Sequence, residues 1–217
     1  MIYDECMMNI ALTFDDGPNT EATIALLDVL ESFKIPASFF LVGKHINPLT
    51  AKVIEREVKL GCTIECHSFT HAAFPELSAQ QMIDEVEKTN SLITKYAGTK
   101  PMFFRPPYIA LNPLMFETIR MPFIAGLGVR DWEESVSVEE RVQGVVNHAC
   151  NGRIVLLHDQ EKNYATVKAV ERIIPQLLDK GTVFCTVRDL FKNCGVDPLY
   201  NHDKGQIWTN VCDATER

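Results

Sequence analysis

Met8-Asn9-Ile10-Ala11-Leu12-Thr13-Phe14-Asp15-Asp16-Gly17-Pro18 is a mostly apolar run that stops at two carboxylates and a turn. Met8 to Phe14 has the length and content of a buried strand, and Asp-Asp-Gly-Pro is strong turn chemistry. From about Thr20 to Phe33 the period changes, with Ile24, Leu27, Leu30 and Phe33 at helical core spacing. Strand, turn and helix make one βα unit. Its repetition decides the fold.

Ala37 to Val42 reads as the next strand, followed by a helix from about Leu49 to Leu60 that stops at Gly61. Cys62 to Cys66 is a third strand, leading into a loop. Ser78 with Gln81 three residues on has the form of a capping box, opening a helix that ends near Gly98. Further strands are expected at Met102 to Arg105, Pro122 to Leu127, Arg153 to Leu157 and Thr182 to Val187, with helices near 138–150 and 164–180 punctuated by Gly152 and Gly181. Parallel neighbours need crossovers, so repeated βα units imply an α/β fold with a parallel sheet. About seven such units favour a barrel over an open sheet. The pattern predicts one barrel domain over 1–192. From 193 to 217 the chain turns to Gly, Pro, Asn and Asp and is expected to form an irregular tail.

Composition narrows the function. The 217 residues are 46% hydrophobic and 23% charged, and 21 Lys+Arg against 29 Asp+Glu give a net charge of -8. An acidic chain is a poor partner for nucleic acid or an anionic membrane, and a neutral substrate suits it better. No apolar run approaches the ~18 residues of a membrane span. The start, Met1-Ile2-Tyr3-Asp4-Glu5, has none of the features of a signal peptide. Seven cysteines in no C-x-x-C pair leave the redox compartment open.

The reactive side chains fall at strand ends. Asp15 and Asp16 follow the first strand, His67 and His71 the third, Arg105 the fourth, Asp131-Trp132 the fifth and His158-Asp159 the sixth. In a parallel barrel these ends share one face, where catalytic groups collect. His67 and His71, four residues apart, can turn toward one cation, and two histidines with a carboxylate are a normal zinc set with a position left open. Adjacent aspartates can divide the work, one holding metal and the other taking a proton. Taken singly, each motif has a plain reading: loop histidines, a turn, a buried His158, a rigid Arg105-Pro106-Pro107-Tyr108 corner, an interfacial Trp132. Five on one face do not.

A rival zinc set, Cys62 and Cys66 with the two histidines, fails because alternation along an extended strand points Cys66 away from His67. Buried thiols fit better. His45, His148 and His202 stand outside every cluster and read as ordinary surface residues.

In this order, Thr13-Phe14-Asp15-Asp16-Gly17-Pro18, Ala37-Ser38-Phe39-Phe40-Leu41-Val42-Gly43-Lys44, His67-Ser68-Phe69-Thr70-His71, Arg105-Pro106-Pro107-Tyr108, Asp131-Trp132 and Leu156-Leu157-His158-Asp159 resemble the NodB-like polysaccharide deacetylases, a carbohydrate esterase family, and most of all its fungal-type chitin deacetylases. The resemblance runs from about Asn9 to Phe191. It implies a distorted (β/α)7-type barrel and metal-dependent hydrolysis of N-acetyl groups from N-acetylglucosamine polymers such as chitin, releasing acetate. It implies Asp16, His67 and His71 as ligands of zinc, with cobalt(II) an alternative. It further implies Asp15 as general base paired with Arg105, and His158 as general acid oriented by Asp131. The Tyr108 N–H would face the oxyanion, and Trp132 and Leu157 would shape the acetyl pocket. The partner is then a neutral amino-sugar polysaccharide, peptidoglycan and acetylated xylan being other substrates of the class. The protein is expected to be a monomer, secreted or cell-wall associated.

Three positions depart from the family pattern: Glu65 stands where Gly is usual, Ile109 follows Tyr108 in place of Gly, and Gly128 replaces the first Asp of DxxDW. Glu65 in particular would bring bulk and charge close to the metal ligands. These departures carry a second reading, a silent relative acting as a wall glycan-binding or structural protein. For an exported protein, Cys6 pairing with Cys194 or Cys212 would tie the tail to the barrel.

Overall fold

The computed structural model describes residues 8–214. The strands are β1 (Met8–Asp15), β2 (Ser38–Leu41), β3 (Thr63–Cys66), β4 (Phe123–Ile124), β5 (Leu127–Gly128), β6 (Arg153–His158), β7 (Thr182–Phe184) and β8 (Ile207–Trp208). The helices are α1 (Ala22–Phe33), α2 (Ala51–Lys59), α3 (Ala79–Ala97), α4 (Pro113–Thr118), α5 (Val138–Val146), α6 (Tyr164–Leu178) and α7 (Val187–Cys194). Parallel pairing runs β3-β2-β1-β6-β5. Bridges from Phe104 to Cys66 and to Phe123 carry the ring on to β4, which leads through Gly126 back to β5. The result is the expected α/β barrel, and its distortion has visible causes.

First, β1 is shared on one side: Met8–Ile10 pair with β7, and Thr13–Asp15 with β2. Second, the strand expected at 102–105 shrinks to one bridging residue, Phe104. Prolines 101, 106 and 107 flank it, and the Glu65 carboxylate takes the N–H groups of Met102 and Phe103. Third, the strand expected at 122–127 breaks at Gly126, which has φ 109°, and where a Cβ would press on the Ile154 carbonyl at 3.2 Å.

Alternation on β1 sorts the layers. Ile10, Leu12 and Phe14 pack outward against Leu26, Leu27 and Leu30 of α1 and Ile173 and Ile174 of α6. On the other face Ala11 joins Phe40, Phe103, Ile124 and Ile154 inside the barrel. Helix α7 and Trp208 of β8 close this inner cluster at the end opposite Asp15. Ile24, expected in the core, is instead exposed, because Thr23 turns inward to bond Asp159 and brings Leu26 into the stripe.

Two helices were not anticipated. The strand expected at 182–187 stops at Phe184, and α7 begins at Val187, its signal being Thr186 accepting from the Asp189 N–H, with Gly195 as left-handed cap. Helix α4 is a short turn capped by Asn112. The capping box at Ser78 and Gln81 forms as expected, and α3 ends at Gly98 with φ 71°. Beyond residue 193 regular structure is sparse, yet Trp208 is buried and donates to the Pro198 carbonyl. Cys62, Cys66 and Cys185 are buried thiols, with pKa values pushed up to about 12 by that burial. Cys6 lies outside the described residues, and the sulfurs of Cys194 and Cys212 stand 3.3 Å apart.

Candidate active site

Register brings the motifs together. Asp15, last in β1, pairs directly with His158, last in β6. Arg105 follows the Phe104 bridge and donates from Nη1 to Asp15 Oδ1 at 2.5 Å. Its guanidinium lies over the Phe40 ring, 4.0 Å from the centroid, wholly buried, with Nε and Nη2 unpartnered among the described residues. So buried a cation needs an anion beside it, and Asp15 is that anion. Across the site, His158 Nδ1 stands 2.8 Å from Asp131 Oδ1, while Asp131 Oδ2 accepts from the His158 N–H and the Thr166 hydroxyl. Asn163 donates to both the Asp131 and His158 carbonyls, and Arg141 donates to Asn163 and Thr166. Nothing in the sequence spacing of 141, 163 and 166 ties this supporting network to position 131.

The surroundings set opposite charge states on the two sides. Burial pushes the Asp15 pKa up, but the Arg105 guanidinium, with His67 and His158, more than cancels that and holds it below the ordinary carboxylate value. For His158, burial disfavours charge. The hydrogen bond and charge of Asp131 outweigh it and raise the pKa to about 9. At neutral pH the site therefore holds an ionised carboxylate and a protonated imidazole.

Asp16, His67 and His71 present one oxygen and two nitrogens within 4.8 Å of one another. Asp16 Oδ1 lies 3.7 Å from His67 Nε2 and 3.3 Å from His71 Nε2. A tetrahedral zinc with bonds of ~2.0–2.1 Å separates its donors by roughly 3.3–3.4 Å, so the set fits a divalent ion with little movement. His67 Nδ1 faces the Arg105 carbonyl at 2.7 Å, which puts the proton there and the Nε2 lone pair toward the set. Burial, and then the nearby His67, lower the His71 pKa, keeping its ring neutral and able to ligate.

A pocket of 380 Å³ lies over these groups, lined by Asp15, Asp16, His67, His71, Pro106, Tyr108, Ile109, Trp132, Leu156 and His158. Trp132 meets the His158 ring edge-on at 5.1 Å, and Tyr108 meets His71 at 4.7 Å. The turn at 106–110 bonds Ile109 N to Pro106 O and Ala110 N to Pro107 O, leaving the Tyr108 N–H without an acceptor among the described residues.

Leu157 is not in the pocket. Alternation on β6 turns it outward into the helix-packed layer, and Leu156, two residues before His158, takes the place expected of it. The parity of 156 and 158 held that signal. Leu157→Ala should therefore cost about 2–5 kcal/mol of stability while leaving KM unchanged. Leu156→Phe should raise KM in a protein that melts near wild type. Steady-state kinetics with thermal melts separate the two.

The departures from the family pattern are also accommodated. Glu65 points inside the barrel but away from the ligands: Oε1 accepts from Arg188, and Oε2 from the Met102 and Phe103 N–H groups. With both oxygens engaged it does not compete for a cation. Ile109 adopts φ 50° and lines the pocket, and a Cβ at Gly128 would meet only ordinary contacts at 3.5 Å. Of the three histidines outside every cluster, one is buried and one half-buried. His202 is buried between Phe116 and Phe123 and bonds the Ile119 carbonyl, while His45 bonds the Asp16 carbonyl through Nδ1 at 2.9 Å. His148 is exposed.

Residues 5–120 match the family model described as polysaccharide deacetylase. The chain is 44% identical over 202 residues to a bifunctional xylanase/deacetylase of Pseudobutyrivibrio xylanivorans, covering 93% of this chain and 33% of that protein. It is 33% identical over 182 residues to the peptidoglycan-N-acetylmuramic acid deacetylase PdaC of Bacillus subtilis (strain 168), covering 83% of this chain and 38% of PdaC. The chain thus spans about a third of the length of these two curated relatives. Among solved structures, a family 4 acetyl xylan esterase from Clostridium thermocellum in complex with a cobalt ion superposes with a TM-score of 0.89 at 37% identity, covering 94% of this chain and 98% of that one.

Proposed function

Since the chain belongs to the polysaccharide deacetylase family, we propose that it hydrolyses acetyl groups from a neutral polysaccharide, acetylated xylan, in a zinc-dependent reaction that releases acetate. What carries the reading is one pocket in which a carboxylate held ionised and an imidazole held protonated flank a His–His–Asp donor set. The preference for xylan rests on relatives named for xylan; the others carry the name of peptidoglycan, and none of these is named for chitin, the substrate first expected. Such a polymer lies outside the cell, so the protein would act after export.

Asp16, His67 and His71 would hold the ion. When bound, zinc supplies a positive charge that polarises the acetyl carbonyl and acidifies a neighbouring water. Asp15, kept ionised and oriented by Arg105, takes the proton from the attacking water. The free Tyr108 N–H donates to the carbonyl oxygen as it gains charge. His158 donates its Nε2 proton to the leaving sugar oxygen, and Asp131, on Nδ1, holds the ring in that tautomer. Trp132 and Leu156 wall the space beside His158 for the acetyl methyl. A 580 Å³ cleft that shares Asp16 and His71 with the pocket gives the flanking sugars room.

The test is acetate release by the purified protein from acetylated xylan and from a chitin oligosaccharide, each with zinc and with a chelator. Chelator-sensitive release from xylan is expected. Release from chitin or from peptidoglycan but not from xylan would overturn the substrate assignment, and release from none of the three would overturn the enzymatic one.

A further inference from the structure

We infer that Glu85, on α3, is a positioning residue for the proposed metal ligands, because its carboxylate holds the loop that carries His71 at the distance the donor set needs. The inference rests on the metal reading of Asp16, His67 and His71.

The loop leaves β3 and turns twice through left-handed backbone, at Ser68 (φ 66°) and at His71 (φ 65°). Neither residue is glycine, so the conformation is not one the chain prefers by itself. Its carbonyls are held from one side: Gly43 N donates to Ser68 O, Lys44 N to Phe69 O, and Lys44 Nζ to Thr70 O. Its donors are held from the other side by one residue. Glu85 Oε2 accepts the N–H groups of Phe69 at 2.8 Å and Thr70 at 2.7 Å, and Oε1 accepts the Thr70 hydroxyl at 2.8 Å. Three bonds to one carboxylate are charge-assisted and directional. One turn further along α3, Lys88 Nζ lies 3.5 Å above the Phe69 ring centroid, so the helix grips the loop tip by backbone and side chain together.

The two histidines depend on this grip unequally. His67 has its own brace in the Arg105 carbonyl. The His71 backbone N–H bonds only within the loop, to Ser68 Oγ at 3.0 Å, and outside the loop its ring meets, among the described residues, only the edge of Tyr108 and its fellow donor Asp16, so its position depends chiefly on the loop. Removing Glu85 should therefore leave Asp16 and His67 in place and let the third ligand wander. Outer partners of ligands are worth about 10–100-fold in metal affinity.

The experiment is zinc titration by competition with a chromophoric chelator, on wild type, Glu85→Ala, Glu85→Gln and, as a control on the same helix, Glu87→Ala. Zinc binding to Glu85→Ala should weaken about 10–100-fold. Glu85→Gln, whose amide oxygen still accepts both N–H groups, should recover most of the loss, and Glu87→Ala should match wild type. Glu85→Asp, one methylene short of the loop, carries the same expectation as alanine should the alanine variant not fold. Wild-type affinity in Glu85→Ala or Glu85→Asp, or an equal loss in Glu87→Ala, would overturn the positioning role alone. A wild-type protein that binds no zinc would overturn the metal reading, and this inference with it.

Discussion

Asp15→Asn should lower kcat by about 10²–10⁴-fold, the range a general base supplies, while zinc affinity stays within a few-fold of wild type. The carboxylate lies outside the donor set of Asp16, His67 and His71, and its nearer partner is Arg105. The same change strands a fully buried guanidinium, and breaking such a pair costs about 3–5 kcal/mol. Turnover must therefore be measured well below the variant's melting temperature, with zinc binding as the sign of a folded site. A variant that binds zinc and still turns over would remove Asp15 from the base role.

Asp131→Asn should act through His158. In metal-free wild type the imidazole is expected to titrate at about 9, because the Asp131 carboxylate overcomes the cost of burial. The sign follows from the raised value: the acid form is full at neutral pH and is lost as pH climbs through about 9. Without the Asp131 charge the midpoint should fall back to the ordinary ~6.5 or below. At pH 8 only about one imidazole in thirty of the metal-free variant then carries its proton, so a loss of kcat of up to about 30-fold is expected, easing as pH is lowered. Histidine proton shifts in the metal-free protein, beside the pH profile of kcat, check both halves. An unmoved His158 titration in the variant would show that Asp131 does not set its charge.

Most of the barrel could be read from the chain, because its rules are local. Strand lengths, the Ser78 capping box and the stops at Gly61, Gly98, Gly152 and Gly181 need no distant contact. Failures came where a distant group decides. The segment at 102–105 loses its strand character to the Glu65 carboxylate from β3, and Thr23 turns α1 by reaching Asp159. The site divides the same way. Strand ends placed Asp15, Asp16, His67, Arg105, Asp131 and His158 on one face, whereas Asn163, Thr166, Arg141 and Glu85 act from helices or loops that only folding brings near. Leu156 is legible from the strand alone: its parity with His158 puts it in the pocket, and that of Leu157 puts it out.

The decisive measurement is acetate release from acetylated xylan by metal-stripped protein as zinc is added back in known amounts. Release should rise in proportion to zinc and saturate at one ion per chain, and Asp16→Asn or His71→Ala should flatten the response. Full release from stripped protein, or saturation with zinc bound but no acetate formed, would contradict a zinc-dependent deacetylase site at these strand ends.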